Sequence, residues 1–143
     1  MSQRFQRGAV LLIRFPFTDL SGSKRRPAVL LAEYPPDVVV AFISSVIPAR
    51  LEPSDVLLRP AASTGLKNSS VLRLHKLATL EDGLITRRLG QLGQSLLTVV
   101  DKALMSALGV DPHPLVQAEY QKLATLLLAE GDAAVLSAIR ART

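Results

Sequence analysis

The sequence predicts a mainly β protein with some α content: a small barrel of short strands, a helix packed on it, and an extra helical extension at the C-terminus. Three observations carry this expectation. Short aliphatic runs alternate with clusters of turn formers through the first ninety residues, a rhythm that favours a small barrel. Near Leu77 the spacing of apolar residues changes, and from Ser95 it follows three- and four-residue steps, the period of a helix with one buried face. The run Asp111-Pro112-His113-Pro114 then interrupts the chain, because a residue before proline is biased away from helix. The expected domains are residues 1–110, the barrel with its helix, and residues 111–143, the extension.

The elements follow in order. Gly8 to Phe15 is an apolar, branched run that Pro16 ends, since proline cannot donate to a central ladder. Thr18 to Ser23 is rich in turn residues. Ala28-Val29-Leu30-Leu31-Ala32 reads as a second strand launched by Pro27, and Pro35-Pro36 turns the chain into a third at Asp37 to Ile43. Both runs are apolar on both faces, as expected of strands inside a closed barrel or beneath a helix. Weaker strands are expected at Asp55 to Leu58 and Ser70 to Leu74, and a short helical turn within Thr79 to Leu84. Leu96, Leu97, Val100, Leu104, Ala107 and Leu108 mark an amphipathic helix, with Ser95 as N-cap and Gly109 as its stop. Val116, Tyr120, Leu123 and Leu127 mark a second helix, and Ala133 to Ile139 a short third.

Composition narrows the function. The chain has no Cys and only two His, His75 and His113, so disulfides, thiolate chemistry and a His-based zinc site are not expected. No cofactor is implied. The longest apolar runs are strand-sized, well short of the roughly 20 residues of a spanning helix, and the N-terminus lacks a signal-peptide core. A soluble, cytoplasmic protein with no membrane contact is the expectation. The charge is uneven: residues 1–90 hold 13 Lys/Arg against 7 Asp/Glu, while residues 91–143 hold 4 against 5. A basic front half suits a polyanion such as nucleic acid, or is simply a solvated basic face.

Four stretches carry a family resemblance. The opening run, the segment Lys24-Arg25-Arg26-Pro27-Ala28-Val29-Leu30-Leu31, the strand end Val40 to Ser45, and Gly65 to Leu74 resemble successive signatures of MazF/PemK toxins. Leu77 to Leu80 and Leu89 to Leu92 continue the pattern, which covers about residues 8–108. The resemblance implies an SH3-like barrel with a C-terminal helix, a homodimer, a single-stranded RNA substrate, and a cognate antitoxin protein as partner. It further implies an endoribonuclease of a type II toxin–antitoxin system that works without metal and leaves 2′,3′-cyclic phosphate and 5′-OH ends.

Such cleavage needs a group to take the 2′-OH proton, charge to balance the phosphorane, and a proton for the leaving 5′-oxygen. Arg26 matches the family's catalytic Arg, and a planar, permanently charged guanidinium suits phosphate. Ser44 falls where the family has a Thr that hydrogen-bonds the phosphate, with Ser45 one position away; its other reading is a strand-end Ser bonded to nearby backbone. Arg73 and His75, two apart on a strand, should share a face. His75 stands where some members place an Asp base, and imidazole can also exchange a proton near neutrality. The expected catalytic set is Arg26, Ser44, Arg73 and His75. Lys24, Arg25, Ser45, Lys67, Asn68 and Ser69 are expected to bind RNA, the cations on phosphates and the amide and hydroxyls on base edges. Phe15 and Phe17 are stacking or core residues.

Two other readings stay open. A catalytically degenerate member would bind RNA or antitoxin without cutting, which the changes at Ser44 and His75 allow. CcdB-like toxins share the barrel but bind DNA gyrase through a Trp-bearing C-terminus, whereas this chain has no Trp and ends Ile139-Arg140-Ala141-Arg142-Thr143.

Overall fold

A computed structural model describes residues 4–15 and 24–110 and, further on, Gln121, Lys122 and Thr125. The expected turn at Thr18 to Ser23, Phe17, the helix marked by Val116, Tyr120, Leu123 and Leu127, and the one at Ala133 to Ile139 lie outside the described residues. The chain divides into two compact units, Met1–Gly109 and Val110–Thr143. In the second, Gln121, Lys122 and Thr125 are helical, and Thr125 Oγ1 donates to the Gln121 carbonyl at 3.0 Å.

The first unit holds β1 (Ala9–Phe15), β2 (Lys24–Tyr34), β3 (Asp37–Ser44), β4 (Asp55–Leu58), β5 (Ser70–Glu81), a 3₁₀ turn at Asp82–Leu84, β6 (Ile85–Gln91) and α1 (Gln94–Leu108). The strands form one antiparallel sheet in the order β4-β5-β3-β2-β1-β6. Successive residues of the central strands feed two different clusters. Val10, Val29, Leu31, Ala41, Ile43, Leu72 and Leu74 pack with Leu97, Val100 and Ala103 of α1. Leu11, Ile13, Ala28, Leu30, Val38 and Val40 pack on the opposite face with Leu80 and Ile85. Both sides of the sheet are thus buried at its centre, which is why Ala28 to Ala32 of β2 and Val38 to Ile43 of β3 are apolar at every position rather than alternating.

The ladder does not close between β4 and β6. Instead the loop after β4 lies along β6: Gln91 N–H donates to the Ser63 carbonyl at 2.9 Å, and Ala61 and Leu66 form an isolated bridge. A Cβ on Gly90 would sit 2.3 Å from the Ser63 carbonyl oxygen, so only glycine permits this approach.

Several boundaries differ from the sequence expectations for physical reasons. Strand β2 starts before Pro27, which pairs with Leu12; β2 joins β3 only from Ala28 onward, so at Pro27 it is locally an edge where a missing N–H is tolerated. β5 runs past Leu74 to Glu81. β6 was hidden by exposed Thr86, Arg87 and Arg88, residues suited to an edge strand. The N-cap of α1 is Gly93 without a side-chain bond, placing Ser95 in the first turn, while Gly109 closes the helix in the left-handed conformation with φ 70°.

Candidate nucleic-acid interface

A cavity of about 670 Å³ opens where the start of β2, the end of β3, β5 and the loop after Gly65 converge. Six cations line it: Lys24, Arg25, Arg26, Lys67, Arg73 and Lys76. Among the described residues, no carboxylate and no imidazole lines it. The hydroxyls of Ser44, Ser45 and Ser70 and the amide of Asn68 supply uncharged donors and acceptors.

Each wall has a local cause. Antiparallel pairing of β1 and β2 sets Arg26 opposite Ile13 and Lys24 opposite Phe15. The Arg26 guanidinium lies 5.8 Å from the Phe15 ring centroid, and Phe15 packs on Phe42 at 4.5 Å with the rings tilted by 56°. This aromatic step supports the charge without neutralising it. Ser44 Oγ accepts the Val46 N–H at 3.1 Å and donates to the Val46 carbonyl at 3.3 Å, the local backbone bonding open to a strand-end Ser. Gly65, at φ +72°, turns the loop so that its Cα meets β6; a Cβ there would fall 2.4 Å from the Leu89 carbonyl oxygen. The next residues, Leu66, Lys67 and Asn68, then face the cavity.

Arg73 is held from below. Its Nε donates to Asp55 Oδ1 at 2.9 Å and its Nη2 to Oδ2 at 3.4 Å. The Asp55 side chain has no exposed surface, whereas that of Arg73 is 22% exposed. Burial pushes the Asp55 carboxyl up, but the Arg73 hydrogen bond, the Glu52 backbone N–H and the charges of Arg73 and His75 outweigh it and hold it below the usual carboxylate value.

His75 is placed differently from expectation. Arg73 and His75 both reach Asp55, His75 Nδ1 at 3.9 Å from Oδ1, yet His75 does not line the cavity. Ala41 faces Leu77 and the next residue, Phe42, faces Arg73, so Leu74, His75 and Lys76 form a bulge in β5. The bulge is pinned where Leu74 N–H donates to the Ser54 carbonyl at 2.9 Å, and His75 Nδ1 lies 2.7 Å from Ser54 Oγ. Lys76 lines the cavity instead.

Of the residues expected to act, Arg26, Ser44, Arg73, Lys24, Arg25, Ser45, Lys67 and Asn68 are brought together here; His75 and Ser69 are not among the lining residues. Ser69 gives way to its neighbour Ser70, whose hydroxyl donates to the Asn68 carbonyl at 2.9 Å. Sequence reasoning missed Lys76, because strict alternation places it away from Arg73, and Asp55, because a lone Asp opening a strand carries no signal.

Residues 6–108 match the family model described as PemK-like, MazF-like toxin of type II toxin–antitoxin system. Among solved structures, the Mycobacterium tuberculosis toxin MazF-mt6 is 20% identical with a TM-score of 0.60, over 72% of this chain and 98% of that one. A MazE–MazF crystal structure from Deinococcus radiodurans is also 20% identical, with a TM-score of 0.62 over 77% and 100%. An endoribonuclease in complex with its cognate antitoxin, from a mycobacterial species, is 21% identical with a TM-score of 0.57 over 73% and 95%. No curated protein matches the sequence.

Proposed function

The chain belongs to the PemK-like, MazF-like toxins of type II toxin–antitoxin systems, and from that premise we propose that it is an endoribonuclease cutting single-stranded RNA in its basic cavity. The observation that carries the reading is the convergence of six cations without a carboxylate among the described lining residues. In the proposed reaction the 2′-OH gives its proton to water and its oxygen attacks phosphorus, while the bond to the 5′-oxygen breaks and that oxygen takes a proton from water. The products are a 2′,3′-cyclic phosphate and a 5′-OH. Arg26 stabilises the charge that builds on the phosphorane oxygens, with Arg73 as a second donor and the Ser44 hydroxyl exchanging its 3.3 Å bond to the Val46 carbonyl for one to the phosphate. Lys24, Arg25 and Lys67 neutralise flanking phosphates, while Asn68 and Ser45 read unstacked bases. Fixed guanidinium groups supply the positive charge that a metal brings to other nucleases, so the route is metal-independent.

The related endoribonuclease solved with its cognate antitoxin supports a corresponding partner here, an antitoxin segment competing with RNA for the cations. We also infer a homodimer, for which light scattering should report about twice 15.4 kDa; a monomer at micromolar concentration contradicts it. Among the described residues no helix is long and apolar enough to cross a membrane, and cytoplasmic RNA is the substrate pool this reading requires.

The absence of carboxylate and imidazole from the described lining favours one second reading, a family member that binds RNA or antitoxin without cutting. One assay separates the two. Purified protein is incubated with a long single-stranded RNA in EDTA, and the product ends are analysed. The proposal predicts cyclic phosphate and 5′-OH ends. Ends bearing 5′-phosphate, or activity lost to the chelator, contradict the mechanism; tight binding without cleavage supports the second reading.

A further inference from the structure

The cluster beneath the cavity holds a group that the proposed chemistry has not used. Asp55 opens β4 opposite Arg73 of β5, and its carboxylate is the one acid in contact with a cation of the cavity wall among the described residues. Its surroundings are fully specified. The Glu52 N–H donates to Oδ2 at 2.8 Å, Arg73 pairs side-on with both oxygens, and His75, bonded to Ser54, approaches Oδ1 from the same strand as Arg73. A carboxylate stripped of water is costly unless each oxygen is partnered, and here each is.

Side-on pairing has a consequence for Arg73. Of the five N–H donors of a guanidinium, those on Nε and one on Nη2 are given to Asp55, leaving both on Nη1 and one on Nη2. The plane of the group is fixed by the bidentate contact, and long flexible side chains otherwise lose substantial rotamer freedom when they bind. We propose that Asp55 is a positioning residue: from beneath the cavity it fixes the Arg73 guanidinium in one orientation, with the three N–H donors that have no partner among the described residues turned to an RNA phosphodiester. The proposal rests on reading the cavity as an RNA site, and it adds a residue that touches no RNA. His75 and Ser54 complete the cradle on the side away from the cavity lining.

The test compares the full-length protein with Asp55→Asn, Arg73→Ala and the double variant. Asn keeps the shape of Asp55 and removes its charge. In the wild type the Arg73 Nε–H should give a dispersed, slowly exchanging NMR signal, identified by its loss in Arg73→Ala. In Asp55→Asn that signal should collapse to the position of a free arginine. Cleavage of single-stranded RNA by Asp55→Asn should fall about tenfold in kcat, as expected for a mispositioned group, with melting temperature checked in parallel. In the Arg73→Ala background the Asp55→Asn change should have no further effect on kcat, although both should lower the melting temperature. A preserved Arg73 signal in Asp55→Asn, or losses in kcat that multiply, overturns the proposal. Should Asp55→Asn not fold, the wild type alone decides: the Arg73 signal must survive at about pH 4, near the ordinary aspartate value, because the pair holds Asp55 ionised below it. Its loss there overturns the proposal. Wild-type protein that cuts no RNA refutes the functional reading alone, and the affinity for a non-cleavable 2′-O-methyl oligoribonucleotide then replaces kcat, with the same non-additivity expected.

Discussion

The Asp55 side chain has no exposed surface, and the Arg73 guanidinium and the Glu52 N–H that bond it hold its carboxyl below the usual value, which ties stability to pH. Its folded-state pKa lies below its unfolded value. The pair therefore contributes stability that is complete above the unfolded pKa and is lost as pH falls through the folded one. Thermal melts from pH 7 downward should show wild type losing stability below the ordinary carboxylate range, over a step that Asp55→Asn lacks. Identical acid profiles for the two proteins contradict the assignment. Arg73→Ala, which strands the buried carboxylate, should cost about 3 kcal/mol at pH 7. At this scale the sequence was legible where chemistry comes with a pattern. Arg26 is marked by Pro27, Ser44 by the end of a Val/Ile run, and Lys67 and Asn68 by the preceding glycine. Asp55 has no such mark; only the fold brings it under Arg73, 18 residues away in sequence.

The elements explain why some of the site stayed hidden. β1 to β3 are readable because both sheet faces are buried along their centres, where Ala9 to Ile13, Ala28 to Ala32 and Val38 to Ile43 are apolar throughout. β6 is an edge strand carrying Arg87 and Arg88, and a polar edge resembles a loop. Alternation correctly joins Arg73 and His75 on Asp55, but it cannot foresee the bulge that takes His75 off the cavity lining and puts Lys76 on it. The loop bearing Lys67 is set by a glycine pair across β6. Gly65→Ala places a Cβ against the Leu89 carbonyl at a positive φ, so it should lower stability by about 2 kcal/mol in urea melts and weaken RNA binding as Lys67 and Asn68 shift. Gly83→Ala, where a Cβ meets nothing within 4 Å, should leave both unchanged. Equal effects at the two positions remove the loop from the account.

At the scale of the molecule, residues 1–90 hold 13 Lys/Arg against 7 Asp/Glu, and folding brings six of those cations to one cavity. The sequence shows the excess; it does not show that residues from β2, the loop after β4 and β5 share it. Within that cavity the proposed division of labour is chemistry at Arg26 and grip at the lysines, and a single comparison tests it most directly. Cleavage of a single-stranded RNA is measured at saturating substrate for wild type, Arg26→Ala, Lys24→Ala and Lys67→Ala, with binding followed across a salt series. Arg26→Ala should lose about 3 kcal/mol of transition-state stabilisation, roughly a hundredfold in kcat. The two lysine variants should keep kcat, bind more weakly, and show a shallower salt dependence. Small and equal losses in all three would contradict the account, leaving Arg26 as one more cation on a basic rim.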